Sequence, residues 1–191
     1  MKIGICGSHG VGKTKIFDEI KLNLSDKFDI EGISEIPRRL TQYFTDNDLL
    51  KKNNNTFALQ NIIMIYQLIE ENFVKNNNRS LILSDRTLVD HLAYTLLLHN
   101  GSMSNDEMEL LKLISIKYLK TYDIIFYIPI EFELVSDDVR SGDRIFQKEI
   151  DEHIKLFIKD FKYFTLTGSV NQRSTSAIKI ICDKYEHIQK Q

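Results

Sequence analysis

Residues 2–24 constrain the fold of this chain more than any other stretch. An apolar run, Lys2-Ile-Gly-Ile-Cys6, passes through Gly7-Ser-His-Gly-Val-Gly-Lys-Thr14 into a segment with Ile16, Phe17, Ile20 and Leu24 at helical spacing. This pattern reads as strand, loop and helix. Gly7, Gly12, Lys13 and Thr14 satisfy the G-x-x-x-x-G-K-[ST] spacing in full, and a strand before and a helix after are the context that gives it meaning. Glycines let the backbone curl so that successive N–H groups converge, and the helix N-terminus adds the positive end of its dipole, so the loop can cradle phosphate. Gly7, Ser8, His9, Gly10, Val11, Gly12, Lys13 and Thr14 are therefore the expected nucleotide site. Lys13 would reach the β- and γ-phosphates of ATP, with GTP also open, and Thr14 would hold Mg²⁺. In the empty protein Lys13 is expected to face solvent. His9 is expected to be an exposed loop side chain, because only the backbone at that position must serve phosphate.

The rest of the chain repeats the alternation. Strand-like runs at 28–34, 80–83, 122–128 and 163–167 alternate with helical patterns. These carry Leu40, Tyr43 and Phe44; then Phe57 to Phe73; then Leu88 to Leu98. Another restarts after Ser104 with Asp106 and Glu107 in its first turn, one follows with Ile150, Ile154, Phe157 and Ile158, and the last begins near Val170. Parallel strands need crossover helices, and right-handed crossovers cover both faces of a sheet. The expectation is an α/β, three-layer P-loop NTPase fold, with a five-stranded parallel sheet, helices on both faces and a lid segment at about 131–149. A length of 191 residues, 42% of them apolar, suits one domain spanning 1–191.

Chemistry concentrates where strands end. Ser84-Asp85-Arg86 places a carboxylate beside the glycine loop, where Asp85 can hold Mg²⁺ together with Thr14, orient a water or take a proton. Glu35 follows the second strand, with Arg38 three residues on, so a carboxylate and a fork-shaped cation can face one substrate. The polar segment from Asp137 to Arg144 contains Gly142, and its Arg140 and Arg144 are expected to close over phosphate and neutralise developing charge. An acceptor pocket would be lined by Glu35, Arg38 and parts of the long helix such as Tyr66.

On these residues the chain resembles the P-loop ATPase family that includes the kinase domain of nicotinamide-riboside kinases and many phage and bacterial relatives, with nucleoside and nucleotide kinases more distant. The likeness rests on Gly7 to Thr14, on Glu35-Ile-Pro-Arg38 and on Asp85-Arg86 with Asp90, Ala93 and Tyr94. Asp138-Val-Arg140-Ser-Gly-Asp with Glu149 and Asp151, and Leu166-Thr-Gly-Ser-Val-Asn-Gln-Arg173, complete it. The resemblance implies that Gly168, Ser169 and Val170 seat the nucleotide base, with Arg173 supporting their loop. It also implies that Glu35 or Asp85 activates an acceptor hydroxyl while Arg38 and Arg86 hold substrate.

Three activities fit these residues: a kinase acting on a small nucleoside-, nicotinamide riboside- or nucleotide-like acceptor, a slow nucleotide-hydrolysing switch, and a kinase acting on modified bases in DNA. A formal charge of −2 supplies no bulk basic field, so it gives no strong nucleic-acid signal and no attraction to acidic membranes. No apolar run approaches bilayer length, and the expected compartment is the cytoplasm. Oligomeric state is open, a homodimer included.

Overall fold

The computed structural model describes residues 1–40, 56–75, 80–99, 101, 103–131 and 144–189. Strand β1 (Lys2–Cys6) lies in the middle of a five-stranded sheet, between β3 (Leu81–Asp85) and β4 (Ile124–Tyr127). The edges are β2 (Ile30–Ile33), beside β3, and β5 (Phe164–Thr165), beside β4. Every pairing is parallel, so all five strands end on the same side. The expected strands at 28–34 and 163–167 are thus shorter in the structure, as edge strands with one pairing neighbour tend to be.

Both faces are covered, and strand alternation shows why. Ile3 and Ile5 of β1, Leu81 and Leu83 of β3 and Ile124 and Phe126 of β4 turn to one side. There they meet Ile16 and Ile20 of α1 (Lys13–Leu24) and Ala177 and Ile181 of α6 (Val170–Gln189). The intervening Cys6, Ile125 and Tyr127 turn the other way. They pack on Val89 and Ala93 of α3 (Leu88–Leu98), Leu119 of α4 (Asn105–Leu119) and Ile150, Ile154 and Ile158 of α5 (Arg144–Ile158). Ile33 and Ile82 form a further patch with Ile63 of α2 (Thr56–Lys75) and with Ile36 and Leu40 of a helical stretch at 36–40. Each such side chain, taken from water to full burial, contributes about 1.5–3 kcal/mol. The three-layer expectation holds. Among the described residues no helix is long and apolar enough to cross a membrane.

Helix starts follow local chemistry. Thr87 and Asp90 form a reciprocal capping box for α3, and Ser104 and Glu107 do the same for α4. Helix α5 begins at Arg144, earlier than the apolar stripe starting at Ile150 predicts. Gln147 occupies the position one turn before the Ile150-Ile154-Ile158 stripe and is buried there. Its polar side chain breaks the apolar pattern because it bonds the glycine loop, as described below.

Gly4 permits a close approach between sheet and α3. A Cβ at this position would lie 2.7 Å from Thr87 Cγ2 and 2.8 Å from the Tyr122 ring. We expect Gly4→Ala to destabilise the fold by about 1–3 kcal/mol through overpacking. Urea unfolding measures it, and an unchanged midpoint would show that α3 is not held at this distance.

Candidate functional site

The glycine loop leaves the carboxyl end of β1 and winds into α1 with φ of 148° at Gly7, 77° at Gly10 and 92° at Gly12. Gly7 is fixed by more than its φ, since a Cβ there would come within 2.5 Å of the Ile128 carbonyl at the end of β4. Its N–H donates to Asp90 Oδ1 at 3.0 Å, while Asp90 Oδ2 accepts from Thr87 N–H and Thr87 Oγ, both at 2.8 Å. One buried carboxylate therefore sets the start of the loop and the start of α3 together.

Lys13 does not face solvent. It is buried, and its Nζ donates to the carbonyls of Gly7 at 2.8 Å and Ser8 at 2.5 Å. The loop curls around the ammonium. Burial, together with the charge of Arg86, lowers its pKa to about 8 against the opposing pull of Asp90, Asp85 and Glu35. His9 is buried too, with Nδ1 2.7 Å from Tyr94 Oη and its ring against Tyr94 and Phe146. The expectation of an exposed histidine fails because α3 and α5 close over that side of the loop. Gln147 of α5 donates to the His9 carbonyl at 2.7 Å.

Thr14 and Asp85 meet as anticipated, with Thr14 Oγ donating to Asp85 Oδ2 at 2.7 Å. Asp85 Oδ1 is buried and has no hydrogen-bond partner among the described residues. Burial raises the Asp85 carboxyl above its ordinary range, with Lys13, Arg86 and the Thr14 hydroxyl opposing. A hydroxyl beside an unsatisfied carboxylate oxygen is a donor set that suits Mg²⁺.

Glu35 lies just past β2 and faces Arg86 just past β3. Glu35 Oε1 accepts from Arg86 Nη2 at 2.6 Å and Nε at 3.2 Å, and Oε2 accepts from Arg38 Nε at 2.7 Å. Burial alone would raise the Glu35 carboxyl, yet Arg86, with Lys13 and Arg38, outweighs it and holds the group at about 2. Glu35 is thus ionised throughout the neutral range. The Arg86 guanidinium also lies 5.7 Å from the centre of the Tyr94 ring. Tyr66 is half exposed on α2, while the next residue, Gln67, is buried.

On the far side of the loop, Arg173 donates to the Val11 carbonyl at 2.8 Å and to Glu131 Oε2 at 2.7 Å. The same oxygen accepts from Gly168 N–H at 2.8 Å. Ser169 and Gln172 cap α6 reciprocally, Gln172 Oε1 accepting from Ser169 N–H at 2.8 Å and Ser169 Oγ accepting from Gln172 N–H at 3.3 Å. The 168–170 turn and the glycine loop are therefore braced by one arginine. Arg144 is exposed at the start of α5, and Arg140, with 132–143, lies outside the described residues.

The motif at the end of the central strand, the Thr14–Asp85 pair and the order β2-β3-β1-β4-β5 define a P-loop nucleotide-binding fold of the nucleoside and nucleotide kinase type. The sequence profile of the AAA domain family matches residues 2–173, and the chain belongs to that family. Among solved structures, deoxyadenosine kinase from M. mycoides with products dCMP and dCDP matches with a TM-score of 0.63 at 20% identity, covering 96% of this chain and 100% of that one. Thymidylate kinase from Ehrlichia chaffeensis matches with 0.63 at 17% identity, over 95% and 98%. NadR protein in complex with NR matches with 0.69 at 16% identity, over 97% of this chain and 51% of that one. No curated protein sequence matches significantly.

Phosphates entering the loop favour charged Lys13, so nucleotide binding should take up a proton where the free ammonium titrates. Above pH 8 we expect the Kd for ATP to rise by up to about tenfold per pH unit, the slope of a single titrating group. Calorimetry at pH 8.5 in buffers of different ionisation enthalpy measures the uptake. Lys13→Arg should abolish it, and its persistence there would assign the proton to another group.

Proposed function

We propose that the protein is a kinase that transfers the γ-phosphate of ATP to a hydroxyl of a small nucleoside-, nicotinamide riboside- or nucleotide-like acceptor. The observation that carries this reading is Glu35, held between Arg86 and Arg38 at the strand ends beside the phosphate loop. A nucleotide switch needs the loop, Thr14 and Asp85. It has no use for a second, buried carboxylate with two guanidiniums next to them.

In this reading the loop N–H groups and Lys13 hold the β- and γ-phosphates, and Lys13 exchanges its loop carbonyls for phosphate oxygens. The acceptor hydroxyl donates a hydrogen bond to Glu35, which aims a lone pair at the γ-phosphorus. The new O–P bond forms as the bond to the β,γ-bridging oxygen breaks, ADP leaves, and the hydroxyl proton passes to a carboxylate. Phosphoryl transfer through a loose transition state asks for orientation more than for a strong base, so a carboxylate with a pKa of about 2 suits Glu35 to this role. Thr14 and Asp85 would hold Mg²⁺, which when bound supplies positive charge to the phosphates. Arg38 and Arg86 keep Glu35 in place and offer N–H groups to the acceptor. Arg144, with Arg140, would add charge over the phosphates from the lid side, and Gly168, Ser169 and Val170 would border the nucleotide base.

The test is transfer from labelled ATP or GTP, with Mg²⁺, to a panel of nucleosides, nicotinamide riboside and nucleoside monophosphates, beside an acceptor-free control. We expect transfer to one acceptor class, with kcat reduced by about 10²–10⁴-fold in Glu35→Gln, the usual worth of an oriented acid–base group, and ATP affinity nearly unchanged. Hydrolysis indifferent to every acceptor would favour the switch. Lys13→Ala should abolish turnover in either case, which ties any activity to the loop. Arg144→Ala should lower kcat more than it weakens ATP binding, and equal losses would remove Arg144 from the transition state.

A further inference from the structure

We propose that Gln67 and Ser84 are positioning residues that lock the backbone of Arg86 and thereby aim its guanidinium at Glu35. The inference rests on the reading of Glu35 and Arg86 as the acceptor-facing pair. It starts from a strained residue. Among the described residues Arg86 alone, glycines aside, has a positive φ, at 115°. A side chain bearing a Cβ adopts this conformation only when its surroundings impose it.

The turn has a use. An extended backbone would send the side chains of 85 and 86 to opposite faces of the sheet. Here Asp85 bonds Thr14 and its neighbour Arg86 bonds Glu35, so consecutive residues serve one crevice.

What imposes the turn is a clamp on the peptide joining Arg86 to Thr87. Its N–H donates to Asp90 Oδ2 at 2.8 Å. Its carbonyl accepts from Ser84 Oγ at 2.7 Å, with Gln67 Nε2 3.3 Å away. The two hydrogens of the Gln67 amide go to Ser84 Oγ at 2.9 Å and Glu71 Oε1 at 2.8 Å, so Gln67 acts on the carbonyl chiefly by holding the Ser84 hydroxyl. Glu71 is buried and accepts in addition from Lys2 Nζ at 2.7 Å and Tyr122 Oη at 2.5 Å. A carboxylate can only accept, as can a carbonyl, so together they select the NH₂ end of the Gln67 amide for this side. Without Ser84 and Gln67 the carbonyl would be buried and unsatisfied on a strained backbone, and rotation about the Arg86 N–Cα bond, which swings its carbonyl and side chain together, would relieve both. That rotation would carry the guanidinium off Glu35.

The experiment makes Gln67→Met, which keeps the length and removes the donors, Ser84→Ala and the double variant, each also in an Arg86→Ala background. One readout is transfer kinetics, with deoxyadenosine, thymidine and nicotinamide riboside as probes. The other is the pH titration of Glu35, followed by NMR on ¹³C-glutamate-labelled protein. The second readout is independent of any acceptor; the groups that bear on Glu35 in it are Arg86, Lys13 and Arg38, with Asp85 and His91 also within its electrostatic reach. We expect the double variant to lose about tenfold or more in kcat with ATP affinity within twofold, the pattern of a contact acting on the chemical step. Its Glu35 titration should move up from about 2 toward the ordinary carboxylate range. Ser84→Thr, which keeps the hydroxyl but adds a methyl to a buried site, should lose stability while leaving the Glu35 titration in place. In the Arg86→Ala background neither substitution should cost anything more. An equal further loss there, or a Glu35 titration unmoved in the double variant, overturns the proposal. If Arg86→Ala itself leaves transfer intact, the acceptor-pair reading fails, while the titration still decides the positioning role. Should Gln67→Met not fold, Ser84→Ala carries the same comparisons.

Discussion

Asp90 is a carboxylate with no access to water, and three donors converge on it: the N–H of Gly7, the N–H of Thr87 and the hydroxyl of Thr87. Much of the site depends on this arrangement. A buried charge is tolerated only when its lone pairs are filled. Here the donors that fill them belong to the end of the central strand and to the turn after its neighbour. The same bonds that solvate Asp90 therefore fix the phosphate loop relative to the Asp85-Arg86 turn. The glycine loop and the Glu35–Arg86 pair are thus registered against each other by one side chain.

Around that point the strand ends carry a layered set of charges. Lys13 fills its own loop, Asp85 accepts from Thr14 and keeps one oxygen without a partner among the described residues, and Glu35 pairs with Arg86. Arg86, with Lys13 and Arg38, drives Glu35 down against its burial, while burial drives Asp85 up against Lys13 and Arg86. Under the kinase reading proposed above, two carboxylates with divergent environments would take two tasks, Glu35 at the acceptor and Asp85 at Mg²⁺ and the phosphates. Arg173, reaching both Val11 and Glu131, gives the other flank of the loop a comparable brace.

Much of the architecture was legible in the residues. The glycine motif, the alternating apolar strands and the 3.6-residue helices led to a parallel three-layer fold, because each is a local pattern with one compatible packing. Edges were less legible. Two-residue β5 has too little sequence to mark its ends, and Gln147 hid the first turn of α5 by putting an amide where the stripe called for an apolar residue. In α2 the sequence drew attention to the aromatic Tyr66, yet Gln67 and Glu71 are the buried pair, since an amide and a carboxylate four residues apart can satisfy each other inside.

The sequence by itself determined the phosphate loop, the fold class and the short list of charged residues at strand ends, since all three follow from spacing along the chain. Tertiary structure decided which of those charges meet. Glu35 and Arg86 lie on different strands, Lys13 is buried by a loop that has closed on it, and His9 is covered by helices from later in the chain. Such outcomes depend on distances between segments far apart in sequence, and on the cost of leaving any buried polar group unpaired.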